Sequence, residues 1–186
     1  MLKLNLGCGQ NLLDGYVNVD KFSTFAPDVV WDLEQTPWPF DTGSVEEIVL
    51  QHVLEHLGAQ TETFCAILKE LYRVCAAGAL VRVTVPHPRS DGFSGDPTHV
   101  RPISENTLGL LSKKKNQEWK ELGWACTPLA SYIDVDFEIT SLTYTLTPVW
   151  EQRYNSGELS HAELEYARDT YFNVINEIKM DLRAIK

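Results

Sequence analysis

The chain has 186 residues, 44% hydrophobic and 10% aromatic, with 16 Lys+Arg against 26 Asp+Glu and a net charge of −10. That length suits one domain with a core that needs no staples, and the apolar share excludes intrinsic disorder. The acidic balance argues against nucleic acid or an anionic membrane as the main partner, because both would repel it.

Leu2-Lys3-Leu4-Asn5-Leu6 alternates and stops at Gly7-Cys8-Gly9, the pattern of a strand running into a tight loop. Tyr16 to Val19 is a second strand-like run ending on Asp20, and Asp28 to Trp31 a third ending on Asp32. Thr36 to Gly43 is turn-rich and irregular, and Ile48-Val49-Leu50 reads as a strand covered on both faces. Phe64, Ile67, Leu68, Leu71, Tyr72 and Cys75 make one apolar stripe, predicting a helix over Thr61–Cys75 that stops at Ala77-Gly78. A β-branched strand over Ala79–Val85 follows, closed by Pro86. Alternating strands and connections predict a parallel sheet with crossovers.

In the second half, Ser104 is expected to cap a helix through about Ser112, and Lys113-Lys114-Lys115 to form a solvated face or turn. Phe137 to Leu146 reads as a long strand. Ser160-x-x-Glu163 is a capping box opening a helix through about Val174. The same pattern at Ser44-x-x-Glu47 precedes a strand-like run and is read as coincidence. Ile178, Met180, Leu182 and Ala184 alternate with polar residues, so the chain is expected to end on a strand. The four cysteines contain no C-x-x-C pair, which predicts neither a disulfide framework nor a zinc ribbon. With no apolar stretch long enough to span a bilayer and a strand starting almost at Met1, the expectation is a single cytoplasmic domain over residues 1–186.

Gly7-Cys8-Gly9 and Asp20 form the pair that carries chemistry. Glycines let a backbone approach a ligand at the carboxyl edge of a sheet, and an acid at the next strand's tip can accept both hydrogen bonds of a ribose diol. A dinucleotide fingerprint needs a third glycine, where this chain has Leu12, and an acid later than Asp20. A cofactor without a pyrophosphate, S-adenosylmethionine (SAM), fits better.

With Leu4-Asn5-Leu6-Gly7-Cys8-Gly9, Val19-Asp20, Trp31-Asp32-Leu33, Pro39-Phe40-Asp41, Val53-Leu54-Glu55-His56-Leu57 and Tyr72-Arg73-Val74, the chain resembles class I SAM-dependent methyltransferases. The resemblance is to their small single-domain, type 11-like branch, is strongest through Pro86, and extends to Asp96-Pro97-Thr98-His99-Val100-Arg101-Pro102. It implies a Rossmann-like three-layer α/β sandwich with a seven-stranded, mostly parallel sheet, one antiparallel strand near its edge, and a chain ending on an edge strand.

The resemblance also implies site roles. The backbone of Gly7, Cys8 and Gly9 would run along the methionine and ribose, Asp20 would hold the ribose hydroxyls, and Lys21 would lie beside the adenine. Asp32 and Leu33 would receive the adenine, and Gln51 and His52 would face the sulfonium. Asn5 stands where many relatives carry an acid, so a neutral contact to the methionine ammonium would replace a charged one. The span between Gly9 and Tyr16 is too short for the usual first crossover helix, so a loop or single turn is expected there.

His87 and His99 are the candidate proton acceptors, weighed against loop histidines bonded locally. Trp31 and Trp38 are placed on the adenine side, and Arg89 and Arg101 are the cations an anionic acceptor would need. His52-Val53-Leu54-Glu55-His56 also matches the H-x-x-E-H pattern of inverted zinc peptidases, which requires a helix. That pattern begins here as a strand ends, and no metal ligands are expected. The reading is methyl transfer from SAM, releasing S-adenosylhomocysteine, to a small or medium acceptor such as a sugar-type metabolite. The alternatives are a SAM-binding module without turnover and a zinc hydrolase built on His52, Glu55 and His56. The oligomeric state is left open.

Overall fold

In the computed structural model, which describes residues 1–186, the first four strand-like runs form β1 (Leu2–Leu6), β2 (Val17–Asp20), β3 (Val29–Val30) and β4 (Val45–Gln51). The chain continues through α1 (Thr61–Val74), β5 (Cys75–Pro86), α2 (Asp91–Ser94), α3 (Glu105–Gly109), α4 (Lys113–Glu121), α5 (Leu129–Ile133), β6 (Phe137–Leu146), α6 (Pro148–Asn155), α7 (His161–Thr170) and β7 (Ile175–Ala184). The strands form one sheet in the order β3-β2-β1-β4-β5-β7-β6. The first five strands pair in parallel, and β7 is antiparallel to both β5 and β6. This is the expected Rossmann-like sheet with one reversed strand near its edge.

Alternation in β7 buries Ile178, Met180, Leu182 and Ala184, but the strand is interior and not the edge strand expected. β6 takes the edge, because β7 returns between it and β5 and uses both rows of backbone groups. One cluster of 30 buried residues forms the core, with Leu4, Leu6, Ile48, Leu50, Val81 and Val83 from the central strands against Phe64, Ile67, Leu68 and Leu71 of α1. Each such side chain contributes roughly 1.5–3 kcal/mol by leaving water.

Several predicted boundaries move. α1 ends at Val74, one residue before the predicted end, because Cys75 is already extended and paired with Val45 of β4. Ser104 caps α3 through a capping box with Thr107, but the helix ends at Gly109. Ser112, taken as that helix's end, instead caps α4, so Lys113-Lys114-Lys115 is the first turn of a helix. Ser160 and Glu163 form the predicted capping box, and α7 ends at Thr170, short of Val174. Glu47 lies inside β4, as expected, bridging Lys3 at 3.1 Å and Arg82 at 3.3 Å.

No α-helix joins β1 to β2, and the β2–β3 connection holds only a one-turn 3-10 helix at Ser23–Phe25. A buried amide network holds the first of these loops. Asn5 Nδ2 donates to Asn11 O (2.7 Å) and Asn18 Oδ1 (2.8 Å), Leu13 N donates to the same Asn18 Oδ1 (2.8 Å), and Asn18 Nδ2 donates to Asp28 Oδ2 (3.0 Å). An amide at position 5 donates where a carboxylate could only accept. Arg73 organises the irregular 36–43 segment. Its Nε and Nη2 form a 2.8 Å fork on Glu70, its Nη1 donates to Phe40 O, and Glu70 Oε2 accepts from Trp38 N at 2.7 Å. No helix is long and apolar enough to cross a membrane.

Candidate functional site

The carboxyl ends of β3, β2, β1 and β4 lie side by side. The chain leaves β1 toward β2 on one side and returns to β4 on the other, which makes a topological switch point where open α/β sheets bind ligands. A cavity of about 490 Å³ opens there, within the roughly 300–1,000 Å³ usual for small-molecule sites. Residues that immediately end or follow these four strands line it: Gly7, Asp20, Trp31, Asp32, His52 and Val53.

The glycine loop is built for close approach. Gly7 adopts φ +64°, and a Cβ there would stand 2.6 Å from a methyl of Val53. Gly9 N donates to Asp20 Oδ2 and Phe22 N to Asp20 Oδ1, both at 2.9 Å. The Asp20 carboxylate is therefore clamped to the loop while each oxygen keeps a lone pair for a ligand. On the far wall Asp32 Oδ1 accepts from Glu34 N (3.0 Å), and Glu34 Oε1 accepts from Gly58 N (2.7 Å). Three carboxylates, Asp20, Asp32 and Glu34, thus face the cavity against one lysine, Lys21, whose ammonium lies over the Phe22 ring at 5.1 Å. Such a wall repels phosphates and favours a cationic ligand.

Of the ten residues expected to hold a cofactor, Gly7, Asp20, Lys21, Asp32, Leu33 and His52 line the cavity. Asn5 does not: it is 2% exposed and spends its amide on the loop network. Cys8 is buried, with its N–H donating to Val19 O at 3.0 Å. Gly9 acts through Asp20, and Gln51 accepts from Asn11 Nδ2 at 3.2 Å, outside the cavity wall.

His52 has an uncommon φ of +55° for a non-glycine residue, and its ring lies between Glu55 (Nδ1–Oε1, 3.4 Å) and Glu177 (Nε2–Oε1, 3.0 Å). Glu55 foremost, then Glu177, hold its pKa above the ordinary histidine value, against the opposing effect of burial.

The two candidate proton acceptors part company. His87, at the end of β5, is outside the cavity wall; its Nδ1 accepts from Arg89 N (3.1 Å), and burial, then Arg89, push its pKa down. His99 does not line the cavity either, but it packs edge-on against His56, which does, with ring centroids 4.5 Å apart. Arg89 and Arg101 lie outside the cavity wall and are bonded locally. Arg89 donates to Asp169 O and Arg168 O, and Arg101 donates to Gly58 O and covers the Phe64 ring. Trp31 lines the cavity as expected, whereas Trp38 is buried in the core with its indole N–H donating to Leu33 O.

The H-x-x-E-H pattern is not helical. β4 ends at Gln51, His52 turns left-handed, and only Leu54–His56 makes a single 3-10 turn, so the two histidines do not share a helical face. Sequence reasoning missed Phe22, Phe25, Glu34, Val53, Leu57 and Thr98 as cavity residues. Their positions just after predicted strand ends could have flagged all but Thr98, which arrives from a distant loop.

No protein-family model matches the chain, and no curated protein matches it by sequence. Its structure is similar to a SAM-dependent methyltransferase from Archaeoglobus fulgidus, over 98% of this chain and 86% of that one, with 16% identity and a TM-score of 0.58. A SAM-dependent methyltransferase from Methanosarcina mazei aligns over 98% and 91%, with 14% identity and a TM-score of 0.56. The 1,6-didemethyltoxoflavin-N1-methyltransferase of Burkholderia thailandensis, crystallised with its substrate and S-adenosylhomocysteine, aligns over 100% and 71%, with 9% identity and a TM-score of 0.54. These likenesses are of fold: the chain has the class I SAM-dependent methyltransferase fold.

Proposed function

We propose that the cavity binds SAM and that the protein transfers its methyl group to a small-molecule acceptor, releasing S-adenosylhomocysteine. Asp20 carries this reading: it is a carboxylate at the tip of β2, oriented by two loop N–H groups with lone pairs to spare, beside a glycine backbone at the sheet's switch point. It accepts the ribose hydroxyls. Trp31, Asp32 and Leu33 take the adenine, and the acidic wall suits a cofactor bearing a sulfonium and an ammonium. His52 and Val53 stand on the sulfonium side, and the acceptor enters past His56 and Thr98. Methyl transfer from a sulfonium is accelerated chiefly by placing the nucleophile in line and close, so it needs no dedicated acid or base. A polyhydroxyl, sugar-type metabolite is the acceptor we favour, because His52, His56 and Thr98 put hydrogen-bonding groups into that wall and the net charge disfavours nucleic acid. The reaction is assigned to the cytoplasm, where the four free thiols stay reduced.

Calorimetry with S-adenosylhomocysteine tests the cofactor assignment. The wild-type chain should bind one equivalent, and Asp20→Asn should weaken binding by about 10–100-fold, the worth of one or two charge-assisted hydrogen bonds. Near-UV circular dichroism checks that the loop survives the change. No binding, or equal binding by the variant, refutes the assignment. A methyl-release screen over sugars, amines and phenols then reads turnover; binding with no release from any acceptor would identify a cofactor-binding module instead.

A further inference from the structure

Glu55 is an anomaly. It is 0% exposed, yet neither carboxylate oxygen has a hydrogen-bond partner. His52 Nδ1 is the nearest polar partner, but at 3.4 Å it is beyond the roughly 2.7–2.9 Å of a charge-assisted bond. A buried carboxylate left this way costs several kcal/mol by order of magnitude, unless a cation completes it.

The backbone brings two imidazoles to this carboxylate. Glu55 O accepts from Val100 N (2.8 Å) and Arg101 N (3.2 Å), so the 96–101 loop is stitched across the 3-10 turn and carries His99 to it. One ligand atom from each of Glu55, His56 and His99 lies within 4.8 Å of the others.

The protonation of both rings follows from their partners. His99 Nδ1 stands 2.7 Å from Phe93 O, and a carbonyl can only accept, so Nδ1 carries the proton. Thr98 Oγ1 gives its single proton to Asp96 Oδ1 (2.7 Å), so toward His56 Nδ1 (3.0 Å) it accepts, and that nitrogen is protonated as well. In the neutral form of each ring these bonds leave Nε2 as the nitrogen with the free lone pair. Metal-binding histidines are oriented in this way, with the second nitrogen donating to a carbonyl or to a chain ending in a carboxylate. Asp96 Oδ2, 3.8 Å from His99 Nε2, adds a second negative charge beside the pair.

We propose that Glu55, His56 and His99 bind one divalent transition-metal ion of the zinc class in the wall of the cavity. Two imidazole nitrogens and one carboxylate suit zinc and its first-row neighbours better than calcium or magnesium, which prefer all-oxygen shells. Three protein ligands leave coordination positions for water or an acceptor oxygen. His56 and Thr98 both line the cavity, so the ion sits in that wall, on the side assigned above to the acceptor. Its use in orienting a hydroxyl- or carboxylate-bearing acceptor rests on the methyltransferase reading, but binding of the ion does not.

The test uses untagged chain, stripped with a chelator and titrated with Zn²⁺ against a chromophoric competitor, without SAM or acceptor. One equivalent should bind, and Co²⁺ should give the d–d absorption of a site with nitrogen ligands. Glu55→Gln and His99→Ala should each weaken Zn²⁺ at least about 100-fold, while His161→Ala, at an exposed histidine on α7, should not. Thr98→Val keeps all three ligands and removes only the His56 orientation; it should cost roughly 10-fold. It serves as the second variant should His99→Ala fail to fold by circular dichroism. Absence of stoichiometric Zn²⁺ binding tighter than about 10 µM, or wild-type affinity in Glu55→Gln, overturns the proposal. So does loss of binding in His52→Ala but not in His99→Ala. Binding of S-adenosylhomocysteine in excess chelator reports on the cofactor site separately, so the two readings can fail independently.

Discussion

Gly7→Ala probes how the cavity floor is assembled. Gly7 has φ +64°, a region that costs an ordinary L-residue about 1–2 kcal/mol. The new Cβ would also stand 2.6 and 2.9 Å from the two methyls of Val53, far inside the roughly 3.5–4.0 Å of a comfortable carbon contact. Val53 is 6% exposed and packed in the core, so it cannot swing away freely. Overpacking of this kind adds about 1–3 kcal/mol, for a total near 2–5 kcal/mol.

Gly9 separates the two contributions, because it is left-handed at φ +49° with nothing within 4 Å of an added Cβ. Gly9→Ala should therefore cost only the backbone share, about 1–2 kcal/mol. In the Gly7→Ala/Val53→Ala double variant the clash disappears, so the pair should be less destabilised than the sum of its singles by about 1–3 kcal/mol. Equilibrium urea unfolding of the four variants measures all of this. Equal costs at Gly7 and Gly9, or strict additivity in the double variant, would refute the close approach of the glycine loop to β4's exit.

Two further predictions concern buried polar groups. Asn5→Asp places an acceptor-only group against Asn11 O and Asn18 Oδ1, and should cost about 2–4 kcal/mol; a melting temperature lowered by about 5–15 °C is the expected reading, and an unchanged one would refute the network. For Glu70, the Arg73 fork foremost, helped by Trp38 N, holds the carboxyl below the usual carboxylate range against burial. Stability from such a depressed pKa is present above the unfolded value of about 4.3 and is lost as pH falls through the folded one. Glu70→Gln should therefore cost about 1.5–3 kcal/mol at pH 7, and that deficit should shrink as urea titrations are moved below about pH 4; a deficit that grows on acidification contradicts the fork.

The candidate site was legible where local chain chemistry sufficed. Strand, Gly-x-Gly and terminal acid are short-range signals that joined Gly7 to Asp20, and the family resemblance added Asp32 and Leu33; all four line one cavity. The loop network of Asn5 was not legible, because only the folded loop presents Asn11 O and Asn18 Oδ1 to its amide. The bonds of Arg89 and Arg101 were hidden for a related reason: the carbonyls that accept from them, of Asp169, Arg168 and Gly58, come from distant parts of the chain.

Periodicity and turn chemistry by themselves determined the seven strands, the α1 stripe, the cap at Ser104 and the capping box at Ser160, because each depends on neighbours a few residues apart, while the Rossmann-like class came with the family resemblance. Tertiary structure alone decided that β7 is interior and β6 the edge, since both runs read as strands and only the pairing of β7 with β5 as well as β6 distinguishes them. It alone brought His99 across 43 residues of chain to His56. The H-x-x-E-H pattern suggested His52, Glu55 and His56 as a group. The fold instead sets Glu55 and His56 beside His99, because a left-handed turn at His52 breaks the helical spacing that the pattern would need.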